Sequence, residues 1–297
     1  MQWQRYSRGF MLMMLVGLLV GQPIVWGQQP KSGGTLTVGL AADIAHFDVF
    51  HAIGYESYWA LENIHSGLVR VDPQGNIIPD MATSWDIKDD GRTYIFHLHK
   101  GIKFHDDTPA DAAAIKWNIE YILDPANIVD TRVFFRSIAA VDVLDDATLQ
   151  IQLKEPSADF LMVLGGYYMG FLVASPTAVQ QWGKDYKFHP VGAGPFKFVE
   201  WTPGQQAILA KNEHYFKPGL PYLDRIVLKT MKDATTRLGA VRAGELTFAT
   251  WVPLEMVRVL ARIIHQPEKS TKASTCDVRV APSPAASQAH HEPKSSP

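Results

Sequence analysis

A mixed α/β protein is what this sequence predicts, and three observations carry the expectation. Short stretches that alternate apolar and polar residues recur along the chain and read as strands. Between them lie segments whose apolar residues return at helical spacing, most clearly Ala112, Ile115, Ile119 and Ile122. Turns built from Pro, Gly and Asn or Asp are spread evenly, so composition marks no interdomain linker before residue 265.

The first strand is Thr35–Leu40, which alternates and opens the mature domain. Residues 57–66 have helical periodicity, with Trp59, Leu61 and Ile64 facing inward. Val71-Asp72-Pro73-Gln74-Gly75-Asn76 is a turn between two short strands. Asp89-Asp90-Gly91-Arg92 reverses the chain between Trp85–Ile87 and Tyr94–Leu98. The next helix is expected to start at Thr108-Pro109-Ala110-Asp111. Thr108 would cap it, Pro109 would take its first position, and Asp111 would complete a capping box. Asp124-Pro125 ends it. Thr148–Leu153 alternates strictly. Val191–Trp201 and Ala207–Ala210 form a hairpin around Thr202-Pro203-Gly204. Ile226–Met231 is a strand, after which Asp233 caps a helix running to about Arg242.

Composition narrows the function classes. Of 297 residues, 46% are hydrophobic and 20% charged, which excludes a collagen-like or wholly disordered chain. The net charge of -2 gives no basic excess for nucleic acid. A lone cysteine, Cys276, rules out an internal disulfide, a four-cysteine zinc site and a redox pair.

The two ends differ from the middle. Arg5 and Arg8 precede an apolar run, Phe10–Val20, that falls short of the about 20 residues a spanning helix needs. With Val25-Trp26-Gly27 as small residues, residues 1–27 read as a secretory signal peptide cleaved after Gly27. No cysteine stands near that site for a lipid anchor. Loss of Arg5 and Arg8 leaves 26 basic residues against 30 acidic, so the mature chain is mildly acidic. From Gln266 to Pro297 there is no aromatic residue, and Val278 and Val280 are the only large aliphatics. Residues 265–297 are therefore expected to be a disordered tail, with Cys276 an incidental thiol in it.

Few residues suggest chemistry. His97 and His99 are two apart on a strand, so both face one way, and His105, Asp106 or Asp107 would close a metal site. The competing reading is a solvated sheet face followed by a tight turn. Gly192-Ala193-Gly194 lacks the third glycine of a phosphate cradle and leads into a strand, so it reads as a tight turn. There is no Gly-x-Ser-x-Gly elbow, no Ser-x-x-Lys and no Cys/His pair. The sequence makes no case for an enzyme, and it calls for no cofactor.

A family resemblance carries more than any of these motifs. Gly33-Gly34-Thr35-Leu36-Thr37-Val38-Gly39 with Phe47-Asp48 resembles the opening of mature family 5 solute-binding proteins. Gly67-Leu68-Val69 and Ile78–Trp85 follow in the family's order. The stretch Asp90–Pro109 resembles the family signature. Agreement continues at Val141-Asp142, Leu153–Pro156, Pro190–Phe196, Asn212–Phe216, Tyr222-Leu223-Asp224, Asp233–Arg237 and Ala243-Gly244-Glu245, so the likeness spans roughly 33–250. His99 stands in place of an arginine, Asp107 of a glycine, Ala193 of a threonine, and Thr247 of an aspartate.

These proteins are the extracytoplasmic receptors of ABC importers for oligopeptides, dipeptides, nickel and related solutes. The resemblance implies a periplasmic-binding-protein-like (type II) lobe with a mixed sheet over residues 28–264, with an inserted α+β subdomain at about 61–185. Family members are longer, so the opposing lobe is expected to be missing and the pocket half open. It further implies a periplasmic, non-enzymatic binding protein whose partners are a peptide or small solute and a membrane permease, with no nucleic acid. Ligands of α/β folds favour the carboxyl ends of strands, which points to His46, Phe47, Tyr55 and Tyr58 after the first strand. The bland reading of Phe47, Tyr55 and Tyr58 is core packing. Two other functions stay open at this level: an inactive fragment or frameshifted product, and an exported metal-dependent hydrolase using His97, His99 and His105.

Overall fold

The computed structural model describes residues 30–51, 54–166, 170–253 and 255–256. The expected signal peptide and the tail with Cys276 lie outside them. Among the described residues, no helix is long and apolar enough to cross a membrane.

Five strands form the larger sheet: β1 (Thr35–Leu40), β8 (Phe196–Thr202), β9 (Gln206–Lys211), β10 (Arg225–Thr230) and β11 (Phe248–Ala249). Their order is β11-β1-β10-β9-β8. β1 runs parallel to both β10 and β11, so these three strands deliver their carboxyl ends to one edge. β8 and β9 form the antiparallel hairpin expected around Gly204, whose φ of +74° suits glycine. Smaller elements precede it. β2 (Val69–Val71) and β3 (Ile77–Pro79) pair around the Asp72–Asn76 turn, where the Asp72 carboxylate accepts from the amides of Gln74 and Asn76. β4 (Ala82–Lys88), β5 (Thr93–Leu98), β6 (Ile138–Asp145) and β7 (Thr148–Leu153) form an antiparallel sheet of order β4-β5-β7-β6.

The helices are α1 (Tyr55–Ile64), α2 (Ala112–Leu123), α3 (Arg132–Phe135), α4 (Phe160–Gly165), α5 (Pro176–Trp182) and α6 (Ala234–Arg242). Ala112, Ile115, Ile119 and Ile122 are all buried, as their spacing predicts. The start of α2 differs from expectation. Asp111, not Thr108, is its cap, accepting from the Ala114 amide at 2.9 Å. Residues 102–110 still pair with one another there: Phe104 N–H bonds the Thr108 carbonyl and Ala110 N–H that of Ile102. That ladder holds Thr108 and Pro109 outside the helix. At α6 the expected cap is present, Asp233 accepting from the Thr236 amide at 2.7 Å.

Two apolar clusters carry the fold. One gathers Val38, Leu40, Phe47, Leu61, Ile64, Leu209, Ile226 and Leu228 on the five-stranded sheet. The other surrounds the four-stranded sheet and α2, drawing on residues from Phe50 to Ala193. Full burial of side chains such as Leu61 and Ile64 contributes about 1.5–3 kcal/mol each.

Gly192-Ala193-Gly194 is not a tight turn but a close backbone approach. Neither glycine has a positive φ. A Cβ on Gly194 would lie 2.6 Å from the Ile64 carbonyl carbon, and one on Gly192 would meet the Ile64 oxygen. Only glycine lets this strip lie against the end of α1, where Gly194 N–H bonds the Ile64 carbonyl at 2.8 Å. The strand begins at Phe196 rather than Val191 for that reason.

A buried charge network fastens β2–β3 to α1 and the 212–220 loop. Asp80, with no exposed surface, accepts from Arg70 Nε at 2.9 Å and from the Gly67 amide at 3.0 Å. Its other oxygen lies 2.7 Å from Lys217 Nζ. Arg70 also donates to the carbonyls of Glu62 and His65. Burial and the Asp80 charge push the Glu62 carboxyl up to about 7 against the pull of Arg70.

Candidate functional site

The edge where β1, β10 and β11 end is the place to look for a ligand surface. Local hydrogen bonds tie the three exits together. Met231 N–H bonds the Leu40 carbonyl at 2.9 Å, and Thr250 N–H bonds that of Gly39 at 3.0 Å. The Thr250 hydroxyl accepts from the Ala41 amide. The loop after β1 is held as firmly: Asp43 accepts from the Gly204 amide and the Thr230 hydroxyl, and Ser57 from the Ala45 amide.

Three aromatic side chains form a shelf at this edge. Trp59 and Trp251 stack with ring centroids 6.2 Å apart and planes 23° from parallel. Tyr55 lies 5.6 Å from Trp251 and 6.3 Å from Trp59. Tyr55 is 36% exposed, and both tryptophans are half-buried. Such faces bind apolar groups, peptide planes and cations. Trp251 has a φ of +50°, the left-handed region that costs a bulky residue about 1–2 kcal/mol. Trp59, expected to face inward, is half-buried: it packs against the cluster on the five-stranded sheet and also contributes to the shelf, while Leu61 and Ile64 are fully buried.

The four residues put forward from the sequence divide. Phe47 has no exposed surface and packs edge-on against Phe198 and Trp201. Tyr58 is buried too, its hydroxyl donating to the Gly166 carbonyl at 3.1 Å and accepting from the Gly170 amide at 2.9 Å. Tyr55 is on the shelf. His46 is half-buried, its Nδ1 accepting from the Asp48 amide, and burial holds its pKa below the usual histidine value. Its edge-on neighbour His51, 6.1 Å away, is raised by the hydrogen bond to Asp48.

The histidine cluster is dispersed. His97 pairs with Asp86 at 3.2 Å on an exposed face, and His99 packs on Phe216 with centroids 5.3 Å apart. His105 Nε2 bonds the Gly194 carbonyl at 3.0 Å. Burial lowers the His105 pKa to about 4, so the ring is neutral. Among the described residues, no three His, Cys, Asp or Glu side chains are placed to hold a metal ion. The reason lies in the chain after β5: His99 has left the strand and His105 turns inward to bond the Gly192–Gly194 strip, its own amide donating to the Gly192 carbonyl.

Sequence reading missed Trp59 and Trp251 as candidate site residues. Nothing local distinguishes Trp251 from other tryptophans, because the shelf joins residues almost 200 positions apart.

Known proteins agree with this architecture. The model of the bacterial extracellular solute-binding proteins, family 5, matches residues 76–278, reaching past Ile264 into the stretch expected to be a tail. The glutathione-binding protein GsiB of Pectobacterium atrosepticum is 34% identical over 225 residues, covering 76% of this chain and 43% of the relative. The periplasmic binding protein DppA of Helicobacter pylori, solved with the peptide STSA, superposes with a TM-score of 0.70 at 30% identity over 78% of this chain and 49% of that one. NikZ of Campylobacter jejuni, solved with Ni(L-His), gives 0.69 at 25% identity over 81% and 46%. These structures confirm a type II periplasmic-binding-protein fold, of which the chain spans about half the length of the relatives it matches. Members of this group are extracytoplasmic binding proteins rather than enzymes. From its sequence match and its fold alike, this chain belongs to the bacterial extracellular solute-binding proteins of family 5.

Proposed function

We propose that the chain is the ligand-holding part of the substrate-binding component of an ABC importer, exported by a cleaved signal peptide, that takes a peptide or related small solute and delivers it to a membrane permease. The observation that carries this reading is the aromatic shelf of Tyr55, Trp59 and Trp251 at the common exit of three parallel strands. The relatives' ligands, glutathione, the peptide STSA and Ni(L-His), set the solute classes to try. Tyr55 and His46 are the sequence-derived candidates with surface left for contact. Phe47 and Tyr58 serve by holding the loop and α1 in place. The hydrolase reading loses its support with the dispersal of His97, His99 and His105.

Titration of the mature chain with di- to pentapeptides, glutathione and the nickel–histidine complex, followed by calorimetry and tryptophan fluorescence, tests the reading. One class is expected to bind. Trp251→Leu should then weaken it by about 2- to 12-fold, the worth of one aromatic contact. Absence of binding by every class at millimolar concentration would refute it and favour an inactive fragment.

A further inference from the structure

Arg237 has almost no exposed surface, yet it forms no ion pair among the described residues. Taking a guanidinium out of water without a paired carboxylate is costly. Here the guanidinium is spent on backbone carbonyls. Nη1 donates to those of Met231 (2.5 Å) and Lys232 (2.8 Å), the residues that follow β10. Nη2 donates to that of Trp251 at 3.1 Å, two residues past β11. One planar fork thus joins the exits of two strands that do not touch each other, across β1 between them. The fit is tight: a Cβ on Gly39 of β1 would lie 3.4 Å from the Arg237 side chain.

The carbonyl Arg237 holds belongs to the one residue of the shelf with a left-handed backbone. We propose that Arg237 is the positioning residue of this site: its fork fixes the left-handed turn at Trp251 and thereby the stack of Trp251 on Trp59 against which the ligand rests. The part about ligand rests on the function proposed above; the part about the stack stands by itself. Lysine does not replace the fork. A single ammonium on a flexible stem lacks the rigid, divergent N–H groups that reach Met231 and Trp251 together.

The test uses 5-fluorotryptophan-labelled mature protein, with the Trp59 and Trp251 fluorine resonances assigned by Trp59→Phe and Trp251→Phe. Arg237→Lys is expected to move both resonances while those of Trp85, Trp117 and Trp182 stay in place. It should weaken ligand by the same factor as Trp251→Phe, and the double variant should be no worse than either single one. An unmoved Trp251 resonance in Arg237→Lys and Arg237→Gln overturns the proposal. If these variants unfold, a stability cycle decides it. Glycine adopts a left-handed φ freely, so Trp251→Gly should restore part of the stability lost in Arg237→Lys, and strictly additive losses overturn the inference. Resonances that move in a protein that binds no solute would support the positioning role and refute the ligand reading.

Discussion

Replacing Asp80 by Asn removes one negative charge from a fully buried position between two cations. Arg70 Nε and Lys217 Nζ lie 2.9 and 2.7 Å from its oxygens, and the Gly67 amide donates as well. Asn keeps the shape, and its one carbonyl oxygen can still accept from both Arg70 and Gly67, which share one Asp80 oxygen. Its NH₂ group then faces the Lys217 ammonium. Breaking a buried pair from one side costs about 3–5 kcal/mol, because Arg70 and Lys217 are left largely out of water without their shared carboxylate. For a chain of this size that corresponds to a fall in Tm of about 6–20 °C. The Lys217 side chain is 26% exposed, so its pair is partly screened by solvent, and Asp80 keeps Arg70 and the Gly67 amide without it; Lys217→Met alone should cost only about 1–2 kcal/mol. In the double variant, the amide that replaces the Asp80 carboxylate no longer faces a lysine, so the cycle should show a favourable coupling of about 1–3 kcal/mol. Urea unfolding followed by far-UV circular dichroism measures all four proteins. A loss below about 1 kcal/mol for Asp80→Asn, or additivity within about 0.5 kcal/mol, would mean that the network does not fasten the hairpin to α1 and the 212–220 loop.

Acid should loosen the fold through His65, which is fully buried, and His105, which is half-buried. Burial lowers His65 to about 3 and His105 to about 4, so between those values and 6.5 the unfolded chain binds more protons than the folded one, and stability falls as pH drops through that window. Glu62, raised to about 7, acts oppositely between its ordinary value and 7, but it is one group against two. Urea midpoints from pH 8 to 4 should therefore decline, and His105→Gln should flatten the decline even if its absolute stability is lower; an unchanged slope would contradict the assignment. Asp107, with a φ of +65° where a glycine is usual in the family signature, should accept Gly with a change of at most about 1 kcal/mol, whereas Val should cost about 1–2 kcal/mol. Equal midpoints for Asp107→Gly and Asp107→Val in thermal melts would show that this turn is not held left-handed.

What this sequence determined by itself was everything set by neighbours a few residues apart. The alternation of Thr148–Leu153, the spacing of Ile115, Ile119 and Ile122, the Asp233 cap and the Gly204 hairpin are all local, and all are present. The order of short motifs along the chain likewise sufficed for the family. Where local signals competed, tertiary pairing chose: Thr108 and Asp111 both suit a helix start, and the ladder from Ile102 to Ala110 left the cap to Asp111. The candidate site belongs to the tertiary structure almost entirely. Whether Phe47 lies in the core and Tyr55 on the surface depends on Phe198, Trp201 and Trp251, far away in the chain. The same holds for His105, which loses its charge to burial and its place in a metal cluster because its ring turns in to bond the Gly194 carbonyl. Burial is a sum over distant partners. Periodicity can say which face of an element is apolar, but only the assembled sheet decides which polar and aromatic groups are left at its edge.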